Sequence, residues 1–218
     1  LSAHGHAMGG VVVDGGTFDW AAQKDKYPAL GQPEPCYNGI VFADTFGKMA
    51  LYVHNHAIGL RDLGMTQQPM NAFLTLQGLE TLALRMPRHC ENALAVAQYL
   101  EKHPKVEWVN YAGLPANKYH PLAKKYMKGH GGAVFAFGVK GGHEAGIKIV
   151  DNVKLFSHVA NIGDTRSLIV HPSSTTHSQL THDQKIANGI GPEAIRLSVG
   201  IESIDDIIAD LEQALAAI

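Results

Sequence analysis

The residues best equipped for chemistry lie in two stretches, ANIGDTRSLIVHPSSTTHSQL at 160–180 and RLSVGIE at 196–202. In the second, Ile195, Leu197, Val199 and Ile201 alternate with Arg196, Ser198 and Gly200. That is the period-two pattern of a strand with one buried face. Arg196 therefore stands as a permanent charge on the face away from the core. Its planar guanidinium can donate two parallel hydrogen bonds to a carboxylate, which the point charge of a lysine cannot do. A strand arginine can equally be solvated or paired structurally. In the first stretch, Asn161 can line a pocket or close a turn on its own backbone before Gly163. His171 and His177 flank the Pro-Ser-Ser-Thr-Thr loop and can orient it by hydrogen bonds.

Other chemistry-bearing residues point to packing. The thirteen histidines include a His54, His56 pair, but residues two apart on a helix face different ways. His4 and His6 would share a strand face with no carboxylate or cysteine beside them to complete a site. No metal site is expected. Cys36 and Cys90 have no metal or redox spacing and read as buried free thiols, with Cys90 packed on a helix.

The elements that must hold these residues follow from periodicity. The apolar run at 11–13, bracketed by glycines, reads as a short strand. A polar turn at Gln67, Gln68 and Pro69 precedes a long helical pattern over 71–102. Pro87 should kink or divide that helix, because proline lacks a backbone donor and clashes with the preceding turn. From Lys105 onward strands are expected at 106–111, 132–139, 155–160, 167–170 and 195–201, with helices at 121–128 and 143–152. Ser203 should cap a last helix, with Asp206 three residues on, whose apolar face is Ile204, Ile207, Ile208, Leu211 and Leu215. The mixture predicts an α/β fold with helices on one side of a largely antiparallel sheet.

Composition sets the outer bounds. A chain of 218 residues, 45% hydrophobic and 17% charged, can bury a sizeable core in one or two domains. A formal net charge of -2 without a basic block gives no reason to expect nucleic acid or an anionic membrane as partner. No signal-peptide pattern is present, and no apolar run approaches the ~20 residues of a membrane span.

The two opening stretches, together with PCYNGIVFADTFG at 35–47, NAFLTLQGLETLALRMPRHCENALAVAQYL at 71–100 and GVKGGHEAG at 138–146, resemble the Cys/Met-metabolism family of pyridoxal-phosphate enzymes. Within that family they are most similar to the O-acetylhomoserine sulfhydrylase branch. The resemblance runs over nearly the whole chain. It implies a PLP-dependent transferase-like, fold-type I α/β architecture, with residues 1–65 as a remnant of the cofactor-binding large domain. Residues 66–104 would be the connecting helix and 105–218 a complete C-terminal small domain. It also implies that Arg196 takes the substrate carboxylate, with Asn161 and Thr176 lining the same pocket. Asn161 favours the sulfhydrylase branch, because related lyases and synthases usually carry serine there.

The family's Schiff-base lysine belongs to a Ser-Ala-Thr-Lys motif that would match just upstream of Leu1, and the chain contains no such motif. No catalytic or cofactor-binding residue is therefore expected within it. The resemblance implies the C-terminal half of a longer enzyme, partnered by its own N-terminal half in a cytoplasmic homo-oligomer, a homotetramer. The cofactor would be pyridoxal 5'-phosphate, and the reaction would replace the acetate of O-acetyl-L-homoserine by sulfide or a thiol, giving homocysteine or methionine. A cystathionine γ-synthase, a γ-lyase such as methionine γ-lyase, and a noncatalytic fragment stay open as alternatives. The chain departs from the family at Ser2, Ala3, His4 and Gly5, where Gly-Gly-His-Gly is general, and at Pro87, where glutamate is common.

Overall fold

Hydrophobic side chains repeat every second residue in the strands and every third or fourth in three helices, and these rows meet to form the main core. In the computed structural model, which describes residues 1–2 and 4–218, the chain divides into two compact units. One comprises Leu1–Ala7 with Leu74–Ile218 and the other comprises Met8–Phe73. Ala3, one of the positions of departure noted above, lies outside the described residues.

The smaller unit holds α1 (Pro28–Gly31), α2 (Phe42–Phe46) and α3 (Ala50–His54), the last continuing into a π-helix at Asn55–Asp62. Its core is Leu30, Phe42 and Ala50, with Trp20, Tyr37, Phe46 and Ile58 packed around them. The run at 11–13 is no strand. Val11, Val12 and Val13 are exposed and have no partner strand among the described residues, and without a ladder their β preference has nothing to act on.

α4 (Pro69–Glu80) is followed after the single residue Thr81 by α5 (Leu82–Lys102). The joint between the helices is at Thr81. Pro87 sits inside α5, where it and Ala83, whose carbonyl it leaves without a helical donor, are both exposed, so water can take the vacant acceptor. In the larger unit there follow β1 (Val106–Asn110), α6 (His120–Tyr126), β2 (Val134–Val139), α7 (Gly142–Asn152), β3 (Ser157–His158), β4 (Leu168–Val170), α8 (His182–Ala187), β5 (Ala194–Ser198) and α9 (Ile204–Ala216).

Among the described residues these strands form one sheet in the order β1-β2-β5-β4-β3. The first three pairings are antiparallel and β3 joins β4 in parallel. Phe135, Phe137, Ile195, Leu197 and Ile169 project from one face and pack with Val96 and Leu100 of α5, Ile149 of α7, and Ile207, Leu211 and Leu215 of α9. The expected arrangement, helices on one side of a largely antiparallel sheet, is the one observed. Truncating any of these fully buried side chains to alanine should cost about 2 to 5 kcal/mol.

Several expectations are corrected. The strand expected over 155–160 shrinks to two residues, because the buried carboxylate of Asp210 accepts the backbone N–H groups of Lys154, Leu155 and Phe156 and fixes a turn there. Ser203 makes no side-chain cap. The capping box belongs instead to α8, where Thr181 Oγ1 accepts from Gln184 N at 3.3 Å and Gln184 Oε1 accepts from Thr181 N at 3.0 Å. Cys36 is exposed rather than buried, whereas Cys90 is buried and burial pushes its thiol up, away from nucleophilic character. α5 contributes Ala93, Val96, Ala97 and Leu100 to the same core as the sheet. No described helix is long and apolar enough to cross a membrane.

Candidate functional site

Arg196 occupies the centre of the sheet. It sits in the middle of β5, paired with Ala136 of β2 on one side and Val170 of β4 on the other. Residues opposite each other in a ladder share a face, so the neighbours of the guanidinium stem on both sides are short apolar chains that accept no hydrogen bond. Arg196 is half-buried, and among the described residues its guanidinium has no hydrogen-bond or ion-pair partner. A charge so placed, with water access reduced and no protein anion, is set up to receive an external one.

Two loops are tied to this position, one at each end of the three-residue strand β4. The loop before it carries Asn161. Asn161 Oδ1 accepts from Ile162 N at 2.9 Å, the turn expected of it, while its Nδ2 has no acceptor among the described residues and the side chain is exposed. Gly163 N donates to the buried Ser198 Oγ at 3.0 Å, and Ser198 stands two residues beyond Arg196 on the same face of β5. This bond fixes the Asn161 loop to the arginine strand.

The same loop is braced further along. Ser167 N and Oγ both donate to the Glu202 carboxylate, at 2.6 and 2.9 Å, and Gly200 N donates to Ser167 Oγ at 2.9 Å. Asp164 is buried and accepts from Arg166 N at 3.1 Å. Burial drives its carboxyl upward, but the backbone and guanidinium of Arg166 pull harder, so its net position is below the ordinary carboxylate range. Ser167, Ser198, Glu202 and Asp164 were not singled out from the sequence. Their signal was present in the two stretches as short polar residues between apolar ones, but the contact of Ser167 with Glu202, which lies beyond the end of β5, is set only by the fold.

The loop after β4 starts at His171, directly following the residue opposite Arg196. His171 is buried; its Nε2 meets the Pro192 carbonyl at 2.7 Å and its Nδ1 meets Ser174 Oγ at 2.8 Å. A carbonyl only accepts, so Nε2 carries the proton and Nδ1 accepts from the serine hydroxyl. Burial holds the imidazole below its ordinary pKa, against the opposing effect of the Pro192 carbonyl, so the ring is neutral near pH 7. Thr175 Oγ1 donates to His171 O at 2.8 Å and Lys185 Nζ to Ser173 O at 2.8 Å, which pins the loop from both sides. Thr176 is exposed at its tip, with Oγ1 2.9 Å from His177 Nδ1. The structure thus links Asn161 to Arg196 through Ser198, while Thr176 is connected to the arginine only through the loop that carries it.

The comparisons with known proteins converge on one family. The sequence model of the Cys/Met metabolism PLP-dependent enzymes matches residues 1–216. The chain belongs to that family. It is 50% identical over 215 residues to a homocysteine synthase of Schizosaccharomyces pombe, covering 99% of this chain and 50% of that protein. It is 47% identical to O-acetyl-L-homoserine sulfhydrylase 1 of Thermus thermophilus, covering 99% and 51%. A crystal structure from Campylobacter jejuni, described as an O-acetylhomoserine (thiol)-lyase holding a pyridoxyl-lysine phosphate, superposes with a TM-score of 0.83 at 42% identity, covering 99% of this chain and 51% of that one. The chain spans about half the length of the curated relatives it matches.

A Schiff-base lysine must be held where its amine can lose its proton, which calls for burial. Among the described residues no lysine is buried, and Lys24, Lys105, Lys140 and Lys185 are held by a carboxylate or by backbone carbonyls. They do not fit the attachment of pyridoxal phosphate.

Proposed function

We propose that this chain supplies the substrate-carboxylate side of a PLP-dependent O-acetyl-L-homoserine sulfhydrylase, acting with the further half that its relatives carry. The reaction replaces acetate at the γ-carbon by sulfide or a thiol, giving homocysteine or methionine. The observation that carries this reading is the unpartnered, half-buried Arg196 between Ala136 and Val170. When bound, pyridoxal phosphate supplies the sink for carbanion electrons. Arg196 orients the amino acid by its carboxylate, Asn161 offers an amide N–H₂ from the loop tied to the same strand through Ser198, and the neutral His171 holds the Thr176 loop in place. Assembly as a cytoplasmic homotetramer with pyridoxal phosphate belongs to the same proposal.

The branch is tested by product analysis. The complete enzyme, given O-acetyl-L-homoserine and sulfide, should release acetate and homocysteine in equal amounts. Release of an α-keto acid as the main product would assign it to the γ-lyases, methionine γ-lyase included. Formation of cystathionine from cysteine in preference to sulfide incorporation would assign it to the synthases.

A further inference from the structure

Three buried polar residues of α5 take no part in the apolar core and are not explained by the carboxylate clamp. Arg85, His89 and Asn92 follow one another at spacings of four and three, so they lie along one face of the helix. All three are buried, and they reach backbone carbonyls far away in sequence. Arg85 donates to Gly78 O at 2.6 Å and to Leu1 O at 3.3 Å, with its Nε on Thr81 Oγ1 at 3.1 Å. His89 Nδ1 donates to Val199 O at 2.7 Å, and Asn92 Nδ2 to Gly200 O and Glu202 O at 3.0 and 2.9 Å. His89 Nε2 is left buried with no partner among the described residues. An orphan nitrogen of that kind is unfavourable, and the Nδ1 bond to Val199 O is what the buried ring contributes.

These bonds close a circuit. Leu1 and Ser2 lie on α4 so closely that a side chain at Gly78 would strike the Leu1 carbonyl and the Ser2 Cα. Ser2 Oγ donates to Ala7 O at 3.1 Å. Gly5, at φ +66°, then lies against the Asn161 loop, where an added Cβ would stand 3.0 Å from Asp164 Oδ2 and 3.5 Å from Asn161 Nδ2. That loop is tied through Gly163 N and Ser198 Oγ to β5, and the end of β5 returns to His89 and Asn92 of α5.

We propose that Arg85, with His89 and Asn92, is a positioning residue of the substrate pocket. It pins Leu1 and so supports the contact of Gly5 with the Asn161 loop, and the same helix face pins the strand carrying Arg196, so the two sides of the pocket share one support. The proposal rests on the reading of Arg196 and Asn161 as substrate residues.

The test uses the complete enzyme with Arg85→Met, which keeps the aliphatic stem and removes the donors, and Gly5→Ala, an exposed site whose change leaves the core intact. Hydrogen exchange at the Ile162 and Gly163 amides should quicken about tenfold in both variants, the effect of losing one loop-restraining contact. KM for the amino-acid substrate should rise by about the same factor while kcat changes less, because ground-state placement is what is lost. Arg85→Lys should recover part of both effects. Unchanged exchange at Ile162 and Gly163 in both variants overturns the proposal. Faster exchange with KM unmoved overturns it as well, by showing a scaffold that does not reach the substrate. Arg196→Ala reports on the clamp separately, so failure of the functional reading is told apart from failure of this one.

Discussion

At the scale of single residues, Arg196 is a cation without a partner among the described residues, flanked by apolar Ala136 and Val170, and the loop after β4 is held by the neutral imidazole of His171. The neutrality of His171 matters because the ring donates through one nitrogen and accepts through the other. A second proton would turn the Nδ1 that accepts from Ser174 into a donor and place a charge near His143, Lys185 and His158, which already oppose it. Since burial lowers its pKa in the folded state, the unfolded chain binds the extra proton first as pH falls. The stabilisation is therefore fully present above the unfolded value of 6.5 and is lost as pH drops from there toward the lower folded value. Urea titrations between pH 7.5 and pH 5 should show stability falling across that window, with a shallower fall in His171→Asn, whose amide can still bridge Ser174 and Pro192. Equal slopes in the two proteins would mean that His171 is not the buried neutral group described here. Arg196 itself was legible in the sequence because alternation put it opposite the core. Its lack of a partner was not, since that depends on Ala136 and Val170 arriving beside it from other strands.

At the scale of elements, sequence periodicity located most helices and strands of the larger unit but misplaced their punctuation. The patterns at 106–111, 132–139, 143–152 and 195–201 correspond to β1, β2, α7 and β5 within a few residues. Ser203 has the sequence of a cap and makes none, while Thr181 and Gln184 form a reciprocal box that was overlooked because α8 has no buried residue to mark it. The run at 11–13 failed as a strand for want of a partner, and Pro87 failed as a helix break because the carbonyl it orphans is exposed. α8 matters to the site, since its Lys185 holds Ser173 O in the loop that carries Thr176. Thr181→Ala should lower stability by about 1 kcal/mol, or leave global stability intact and unwind α8 alone if that helix opens independently. Amide exchange at Lys185 and Ile186 reads either outcome as faster exchange, and unchanged rates would show that the box contributes nothing.

At the scale of the whole molecule, one sheet and three helices form the platform of the larger unit, and the loops that carry Asn161 and Thr176 flank its shortest antiparallel strand, β4. The family could be read from the order of long motifs, because they encode loops and strand ends whose bonding partners are fixed by the fold. The support behind the site could not, because Arg85, His89 and Asn92 read as ordinary polar positions until Leu1, Val199 and Gly200 are brought against them. The account as a whole stands on Arg196 as the carboxylate clamp of a PLP-dependent γ-replacement enzyme. The direct measurement is the steady-state turnover of O-acetyl-L-homoserine by Arg196→Ala in the complete enzyme, with cofactor content read from its visible absorbance. Loss of a charge-assisted pair costs about 1.5 to 3 kcal/mol, so kcat/KM should fall roughly ten- to a hundredfold while bound cofactor is retained, and Arg196→Lys should recover only part of the loss. Wild-type kcat/KM in the alanine variant would remove Arg196 from the site and contradict the account.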